Sequence, residues 1–560
     1  MSASPTGQAS LHVIPSARCF QIMNLANGLL LTLGLAAVAS AQAPHTHRVD
    51  VAPGDVVPLE GSKRAAISAD GGTAVFVVNT YSQFVPQPVP FAHYGVHAKD
   101  LVTGAVDLVN LGSAGQVMAV GHDEDALAIS GDGRYVVWPT PDDDVAWNDS
   151  NGSPDIYLRD RLLGVTELIS VDYGGGTPGF GSARRPSISE DGRYVSFIAW
   201  GAGMTSVPLV GFATTPHAYL RDRQTGTTLR VSHSQLPNDE RVYDAAISGD
   251  GSTMILRLES VDFTLRHYDV ATGADTELLS SLTSDYSGAM GIRATAINSS
   301  GSRIAFDTKA KLVAEDTDFY ADVYTLDIPG VGPELVSLST FGADPASHAT
   351  IPSLSPDGRY LAFQAGGQGY VPFPVTDVDN VYVRDLTTGL TSLASINDSG
   401  TPGFSHISPG ATIGSSFALS DKGATVLYTS TYLNLGGPQG VGANQYKGAI
   451  YMQELANGGP DLSIDGLLAG SAASLSITGA SPGTAVLLAF SVIGQGPLPS
   501  YWGLIDLSPP LITMTFTADA AGSVSESLPL PPGLLGWPVF AKGLDLTANE
   551  ATTTFFGVIQ

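Results

Sequence analysis

Residues 188–198, which read ISEDGRYVSFI, join a tight-turn signal to a strand signal. The Asp191-Gly192 pair provides the positive φ angles that a two-residue hairpin turn requires. After this turn, the residues from Arg193 onward alternate with a period of two, which is typical of a β-strand. The stretch therefore predicts a hairpin turn that leads directly into a strand.

Seven copies of this signal run along the chain. Four have the full Ile-Ser-x-Asp-Gly form and three are degenerate, and they end at Gly71, Gly133, Gly192, Gly251, Gly301, Gly358 and Gly423. A second element, Tyr-x-Arg-Asp, begins at Tyr157, Tyr219 and Tyr382 and is usually followed by a Thr-Gly turn and a further strand. Each unit therefore predicts four antiparallel strands, and the series indicates a repeat architecture.

Seven four-stranded units predict an all-β fold, a seven-bladed β-propeller, with six or eight blades as the alternatives. The seventh unit has a third strand at residues 449–454 but no fourth strand before residue 460. Residues 47–51 have the pattern of a strand that precedes the first unit. We expect this strand to complete the seventh blade, because closing the ring removes an exposed sheet edge.

The repeat also resembles that of a known family. Residues 355–363, SPDGRYLAF, followed by Tyr-Val-Arg-Asp at 382–385, resemble the WD40-like (PD40) repeat of TolB-type propellers. The resemblance covers roughly residues 47–456. It implies a propeller in a secreted bacterial protein and leaves the ligand open.

The repeat stops at residues 457–460, which read NGGP and form a natural linker. From residue 461 to residue 560, short apolar runs alternate with turns, and this pattern predicts a C-terminal β-sandwich. We therefore expect a signal peptide over 1–41, a propeller over 47–456 and a sandwich over 461–560.

The N-terminal residues have the features of a signal peptide. An apolar run over 24–41 ends in Ala39-Ser40-Ala41, and we expect cleavage after Ala41. The single cysteine, Cys19, lies in this leader, so the mature chain is expected to lack disulfides and thiolate metal sites. We expect an exported monomer in the periplasm, at the cell surface or outside the cell, with no membrane span after cleavage.

Composition narrows the class of function. The 560 residues include 26 Lys and Arg against 53 Asp and Glu, which gives a net charge of −27. Nucleic-acid binding needs basic surface that displaces counterions from phosphates, so this class is excluded. Charged residues make up only 14 % of the chain, which favours packed strands over long helices with solvated faces.

Acidic side chains recur in the loops ahead of two tyrosines. The six positions are Asp149, Asn151 and Asp155 in unit two, and Asp316, Asp318 and Asp322 in unit five. In both units they lie 8, 6 and 2 residues before the tyrosine. Calcium takes about six to eight oxygen ligands from closely spaced carboxylates and carbonyls, so these residues are candidate calcium ligands.

The alternative interpretation of these loops is structural, because Asp and Asn side chains stabilise Asx-turns ahead of strands. Unit six carries a shorter version with Asp377, Asp379 and Asn380. We interpret the Tyr-x-Arg-Asp elements as structural too, with the Tyr packed inward and Arg and Asp paired across blades. Gly479-Ala-Ser481-Pro-Gly483 formally matches a nucleophile elbow, but no His follows it, and it reads as a hairpin turn.

These patterns favour an exported, non-enzymatic propeller that binds a protein or an extracellular glycan. The main alternative is a propeller enzyme, a glycan lyase or hydrolase, with its site at the central funnel. A third possibility is a purely structural component of the cell surface. In an enzyme, His, Asp, Glu or Arg side chains should converge at one channel mouth, whereas in a scaffold the carboxylates should lie in separate peripheral loops.

Overall fold

A computed structural model of the chain describes residues 46–51, 58, 62–79, 94–120, 127–142, 149, 151–173, 181–200, 204–205, 215–231, 241–259, 262–283, 292, 295–330, 332–339, 342–366, 369–371, 375, 379–396, 417–420, 425–430, 449–454, 461–465, 472–478, 485–491, 498–500, 503–505, 512–520, 523–529, 538–545, 550–551 and 555–558. These residues form strands, turns and extended segments, and none of them lies in a helix. Within this part of the chain, no helix is therefore long and apolar enough to cross a membrane.

Seven four-stranded antiparallel sheets, the blades, are built from residues 46–454. Blade one comprises β2 (Ser62–Ile67), β3 (Thr73–Asn79), β4 (Tyr94–Asp100) and β5 (Val106–Leu108). Blade two comprises β6 (Ala128–Ile129), β7 (Tyr135–Thr140), β8 (Asp155–Asp160) and β9 (Val165–Leu168). Blade three comprises β10 (Ala183–Ile188), β11 (Tyr194–Ala199), β12 (His217–Asp222) and β13 (Thr227–Arg230).

The remaining four blades repeat this order along the chain. Blade four comprises β14 (Arg241–Ile247), β15 (Thr253–Glu259), β16 (Asp262–Asp269) and β17 (Asp275–Thr283). Blade five comprises β18 (Thr295–Ile297), β19 (Arg303–Thr308), β20 (Asp322–Asp327) and β21 (Glu334–Leu335). Blade six comprises β22 (Ala349–Leu354), β23 (Tyr360–Ala365), β24 (Asn380–Asp385) and β25 (Leu390–Leu393). Blade seven comprises β26 (Phe417–Leu419), β27 (Thr425–Ser430), β28 (Ala449–Glu454) and β1 (Thr46–Arg48).

The N-terminal strand closes the ring. Strand β1 pairs antiparallel with β28, so that Arg48 lies opposite Tyr451. The chain after β1 is tied to blade one, because Lys99 Nζ donates to the carbonyls of Val49 and Val51 at 3.1 and 2.9 Å. The seven blades and the closing strand predicted from the sequence are confirmed, and the strand itself covers Thr46–Arg48.

The recurring Ser-x-Asp triplet cross-links each hairpin turn. In blade three, Ser189 Oγ donates to Asp191 Oδ1 at 2.6 Å and accepts the backbone N–H of Tyr194 at 2.9 Å. The same side-chain bond forms in four other blades, between Ser68 and Asp70, Ser130 and Asp132, Ser248 and Asp250, and Ser355 and Asp357. This bond explains why the repeat requires Ser and Asp as well as Gly.

Glycine in these turns is required by contact between blades as well as by its backbone angles. Gly251 has a φ of 72°, which side chains rarely adopt. A Cβ atom at this position would lie 2.6 Å from Tyr194 Cδ2 in blade three. Neighbouring turns also share a backbone bond, from Glu190 N to Gly249 O at 2.7 Å.

The core lies between the blades, so the second strand of a blade is buried on both faces. In β11, residues 195–199 are all buried, including Ser196. The Ser196 hydroxyl donates to the carbonyl of Ala245 in blade four at 2.9 Å. Polar alternation in these strands therefore marks a contact with the next blade and not a solvated face.

The Tyr-x-Arg-Asp elements of blades two, three and six each form an ion pair within their own blade. Asp160 accepts two hydrogen bonds from Arg134 of the same blade, at 3.0 and 2.6 Å. Asp222 and Arg193, and Asp385 and Arg359, form the same pair in blades three and six. The expected pairing across blades is wrong for these aspartates, because the strand register places Tyr135, the residue after Arg134, directly opposite Asp160. The tyrosines of the elements, Tyr157, Tyr219 and Tyr382, are buried as expected.

Strands β29 to β38 form three small sheets over residues 461–558. One contains β29 (Asp461–Asp465), β30 (Ala472–Thr478) and β35 (Val524–Pro529), and a two-stranded sheet pairs β32 (Leu498–Ser500) with β33 (Gly503–Ile505). The largest contains β31 (Ala485–Ser491), β34 (Ile512–Thr517), β36 (Pro538–Asp545), β37 (Glu550–Ala551) and β38 (Phe555–Val558). The all-β character is confirmed, whereas these small sheets do not establish the expected β-sandwich.

Candidate metal centre

Two segments of each blade meet at one face of the ring. Successive antiparallel strands place alternate connections at opposite ends of a sheet, so the loop between strands two and three lies beside the segment that follows strand four. In blade five these are residues 309–321 and 336–348. The corresponding first loop in blade two is residues 141–154. Both sequence-predicted acidic loops are of this type.

The tyrosine of each loop anchors its most distant aspartate. In blade two, Tyr157 Oη donates to Asp149 Oδ2 at 2.6 Å. In blade five, Tyr324 Oη donates to Asp316 Oδ2 at 2.5 Å. The spacing of eight residues seen in the sequence is therefore a structural contact in both blades.

A serine after the fourth strand anchors the nearest aspartate. In blade two, Ser170 Oγ accepts the backbone N–H of Ile156 at 3.0 Å and donates to Asp155 Oδ1 at 2.6 Å. In blade five, Ser337 Oγ accepts from Val323 N at 3.1 Å and donates to Asp322 Oδ1 at 2.7 Å. The two loops thus have the same supporting frame, which agrees with the structural interpretation of the pattern.

The two loops differ at the middle of the three positions, six residues before the tyrosine. Asn151 in blade two donates from Nδ2 to Asp155 Oδ2 at 2.8 Å. The equivalent residue in blade five, Asp318, accepts from Tyr320 N at 2.7 Å and has no amide hydrogen to donate. Blade five therefore places a carboxylate where blade two places a donor.

A fourth acid that the sequence pattern does not contain joins blade five. Asp344, from the segment after β21, accepts from Thr317 N at 3.0 Å and from the Thr317 hydroxyl at 3.3 Å. Asp316, Asp318, Asp322 and Asp344 each offer one carboxylate oxygen to a group whose atoms all lie within 4.8 Å of one another. We refer to these four residues as the acid cluster. Among the described residues, this is the one group of acidic or metal-ligating side chains drawn together so closely.

Each carboxylate of the acid cluster has one oxygen bound by the protein and one that is not. The bound oxygens accept from Tyr324, Tyr320 N, Ser337 and Thr317. The other four oxygens, Asp316 Oδ1, Asp318 Oδ2, Asp322 Oδ2 and Asp344 Oδ1, are buried and accept no hydrogen bond from the described part of the chain. The loops therefore fix the carboxylates while leaving four oxygens available to a ligand.

The electrostatics of the acid cluster oppose full ionisation. Burial, reinforced by the negative charges of the other three acids, raises the pKa of Asp322 to about 7. Burial and the negative charges of Asp318 and Asp316 also raise the pKa of Asp344. No Lys, Arg or His side chain of the described residues forms an ion pair with the acid cluster. An uncompensated group of this kind is expected to favour a positive ligand.

Aromatic side chains flank the acid cluster on the same loop. Phe319 is 78 % exposed, and Lys311 Nζ lies 4.2 Å from its ring centroid. Tyr320 packs edge-on against His348 with the ring centroids 4.7 Å apart. His348 Nδ1 accepts the backbone N–H of Ala321 at 3.0 Å, so this imidazole nitrogen is used to support the loop.

Blade six carries an uncharged side chain at the one position of this frame that is described there. Asn380 takes the place of Asp322 and accepts from Ser395 Oγ at 2.8 Å. The preceding residue, Asp379, accepts from Gln364 Nε2 at 2.9 Å. Asp377 of this loop and Ser481 of the elbow-like motif lie outside the described residues.

Among known proteins, similarity to this chain was found only at the level of the fold. No family model matches the chain, and no curated protein matches it. Three similar solved structures are the β-propeller domain of the Trilobed protease from Pyrococcus furiosus, TolB from Agrobacterium tumefaciens and the WD40 repeats of RRP9. Their sequence identities are 11, 16 and 8 %, and their TM-scores are 0.40, 0.34 and 0.39. The matches cover 66, 58 and 74 % of this chain and 91, 90 and 99 % of the three structures. By its own strand order the chain is a seven-bladed β-propeller protein, and the solved structures similar to it include protease, TolB and WD40 propellers.

Proposed function

We propose that the chain is an exported, non-enzymatic scaffold whose propeller binds a protein or an extracellular glycan. The observation that carries this proposal is the use of the repeated polar residues inside the ring. The repeated Ser and Asp of the turns bond to each other, and the repeated Asp of strand three binds an Arg of its own blade. These groups therefore rigidify the blades, and recognition is left to the loops that the blades present.

The position of the acid cluster supports a scaffold over a funnel enzyme. All four acids come from two connections of a single blade, the loop before β20 and the segment after β21. An active site at the channel mouth would draw acids, bases and cations from the inner ends of several blades. Clustering within one blade is the arrangement expected of a peripheral loop site.

We also propose that residues 461–560 form the expected β-sandwich and attach the propeller to a surface. In support, β29 of the three-stranded sheet contacts β38 of the largest sheet. Deleting residues 461–560 should release the protein from the cell surface into the medium while its propeller stays folded. Unchanged surface retention of the truncated protein would contradict the anchoring role.

Binding and catalysis are separated by incubating the mature chain, residues 42–560, with arrayed glycans and soluble polysaccharides. The expected result is saturable binding without release of reducing ends or unsaturated sugar products. Turnover of a polysaccharide would overturn the scaffold proposal in favour of a lyase or hydrolase.

Mass spectrometry of the exported protein should find Gln42 at its N-terminus, and a retained leader would contradict export by cleavage.

A further inference from the structure

We propose that the acid cluster binds one calcium ion, with an oxygen from each of its four carboxylates as a ligand, and that the related loop of blade two does not. This inference is independent of which ligand the propeller recognises. It rests on the burial of the carboxylates, on the contrast between the two loops and on the chemistry of the donors.

Two aspartates of the acid cluster have buried oxygens that lack a hydrogen-bond partner among the described residues. Asp322 is 0 % exposed and Asp316 is 5 % exposed. Asp322 Oδ2 and Asp316 Oδ1 nevertheless accept no hydrogen bond from any described residue. Leaving a buried charged acceptor without a partner is costly, and native proteins pair such groups or use them to coordinate metals.

Blade two has the same tyrosine and serine contacts as blade five but carries Asn151 at the position of Asp318. There the Asn151 amide donates to the oxygen of Asp155 that Ser170 does not bind, so this carboxylate is satisfied by the chain itself. In blade five the equivalent oxygen of Asp322 accepts no hydrogen bond from the described residues, and Asp322 is grouped with Asp316, Asp318 and Asp344, each of which offers an oxygen within 4.8 Å of the others. A cation supplies the positive charge that the amide hydrogen supplies in blade two.

The chemistry of the acid cluster indicates which ion it binds. Its ligands are four carboxylates with no His or Cys, and hard cations prefer oxygen ligands of this kind. Calcium binds oxygen at about 2.3–2.6 Å, so oxygens up to 4.8 Å apart fit on opposite sides of one ion. Magnesium needs distances of about 2.0–2.1 Å and near-octahedral geometry, so the loops would have to contract around it.

Calcium binding is tested on the full mature chain after removal of metal with a chelator. We expect isothermal titration with CaCl₂ to show one site, and MgCl₂ to bind at least about tenfold more weakly. Terbium, which substitutes for calcium, should give luminescence on tyrosine excitation, because the Tyr324 hydroxyl binds Asp316 directly. Absence of calcium binding, or magnesium binding of equal strength, would overturn the proposal.

Two matched variants locate the ion. Asp322→Asn keeps the acceptor for Ser337, as Asn380 does for Ser395 in blade six, and removes one charge from the acid cluster. It should weaken calcium binding at least about tenfold, because affinity follows the number of charged ligands. Asp155→Asn makes the same change in blade two and should leave calcium binding unchanged. Equal affinity in Asp322→Asn, or loss in Asp155→Asn alone, would place the ion elsewhere and refute the assignment.

Discussion

The acidic loops of blades two and five share their supporting contacts but differ in the side chain at the middle position. In both, a tyrosine binds the first acid and a serine binds the last. Between them, blade two has Asn151, which donates to its neighbour, and blade five has Asp318, which does not. The side-chain amide at this one position thus gives Asp155 a donor for its second oxygen, whereas in blade five four buried carboxylate oxygens accept no hydrogen bond from the described residues.

The acidic loops of blades two and five combine two separate features, a set of supporting contacts and a set of charges. The tyrosine and serine contacts belong to the scaffold and are the same in both blades. Two further carboxylates are specific to blade five, because Asp318 stands where blade two has Asn151 and Asp344 joins from the segment after β21. The structural and metal-binding interpretations of the pattern therefore apply to different atoms of the same carboxylates.

The largest effect is expected where the two loops are alike. Ser170→Ala and Ser337→Ala each remove the acceptor of a buried backbone N–H and the donor to a buried aspartate. Each should lower the free energy of unfolding by about 2–4 kcal/mol, since two buried groups lose their partner. Urea unfolding in the presence of a chelator measures both. A cost in only one blade would show that the supporting frames are not equivalent.

Asn151→Asp converts the blade-two loop to the blade-five type. The variant loses the amide donor to Asp155 and places two carboxylates side by side. Without metal, it should lose about 1–3 kcal/mol of stability, because a buried acceptor is left unpaired beside a like charge. Thermal unfolding with chelator checks this, with Asn151→Ser as the uncharged control. Equal stability of the wild type and the Asp variant would contradict the role of the Asn151 amide.

Asp318→Asn makes the reverse change in blade five. The substitution removes one charge from the acid cluster, and the new amide can donate to Asp322 Oδ2. The free energy of unfolding of the metal-free protein should therefore rise by about 1–2 kcal/mol. The same variant should lose the rise in Tm that calcium gives the wild type, since a ligand stabilises only the state that binds it. Differential scanning fluorimetry with calcium and with chelator measures both. An unchanged calcium response would refute a role for Asp318 as a ligand.

The smallest effect is expected from the tyrosine hydroxyls. Tyr157→Phe and Tyr324→Phe each remove one donor to a buried aspartate, at a cost of about 1 kcal/mol in metal-free protein. With calcium present, the cost of Tyr324→Phe should shrink, because the ion also neutralises Asp316. The cost of Tyr157→Phe should not depend on calcium. Unfolding curves of both variants, measured with and without calcium, distinguish the two blades. If the cost of both substitutions depended on calcium in the same way, the difference between the two loops would be contradicted.

Most of the fold was predictable because its determinants are local. The Asp-Gly turn and the strand after it are encoded within about ten residues, and the number of copies predicts the number of blades. The closing role of β1 followed from the missing fourth strand of blade seven. The pairing of Arg134 with Asp160 was mispredicted because it depends on strand register, which the spacing of the motifs does not reveal.

The candidate site was predictable only in part. Asp316, Asp318 and Asp322 lie in one loop, so their spacing placed them together. Asp344 lies in a different connection, beyond β21, and carries no pattern that marks it. From spacing alone the loops of blades two and five are equivalent, because an Asn and an Asp both offer an oxygen. Only the contact to Asp155 shows that Asn151 uses its amide as a donor.

The class of fold, the number of blades, the strand that closes the ring and three of the four acids can all be read from the sequence. These depend on turn chemistry, period and local spacing, which act between residues close in the chain. Which carboxylate oxygens are left without a donor, and that Asp344 joins them, is visible only in the folded structure. That outcome depends on how two connections of one blade meet, and hydrogen-bond satisfaction is a property of the packed fold and not of the chain.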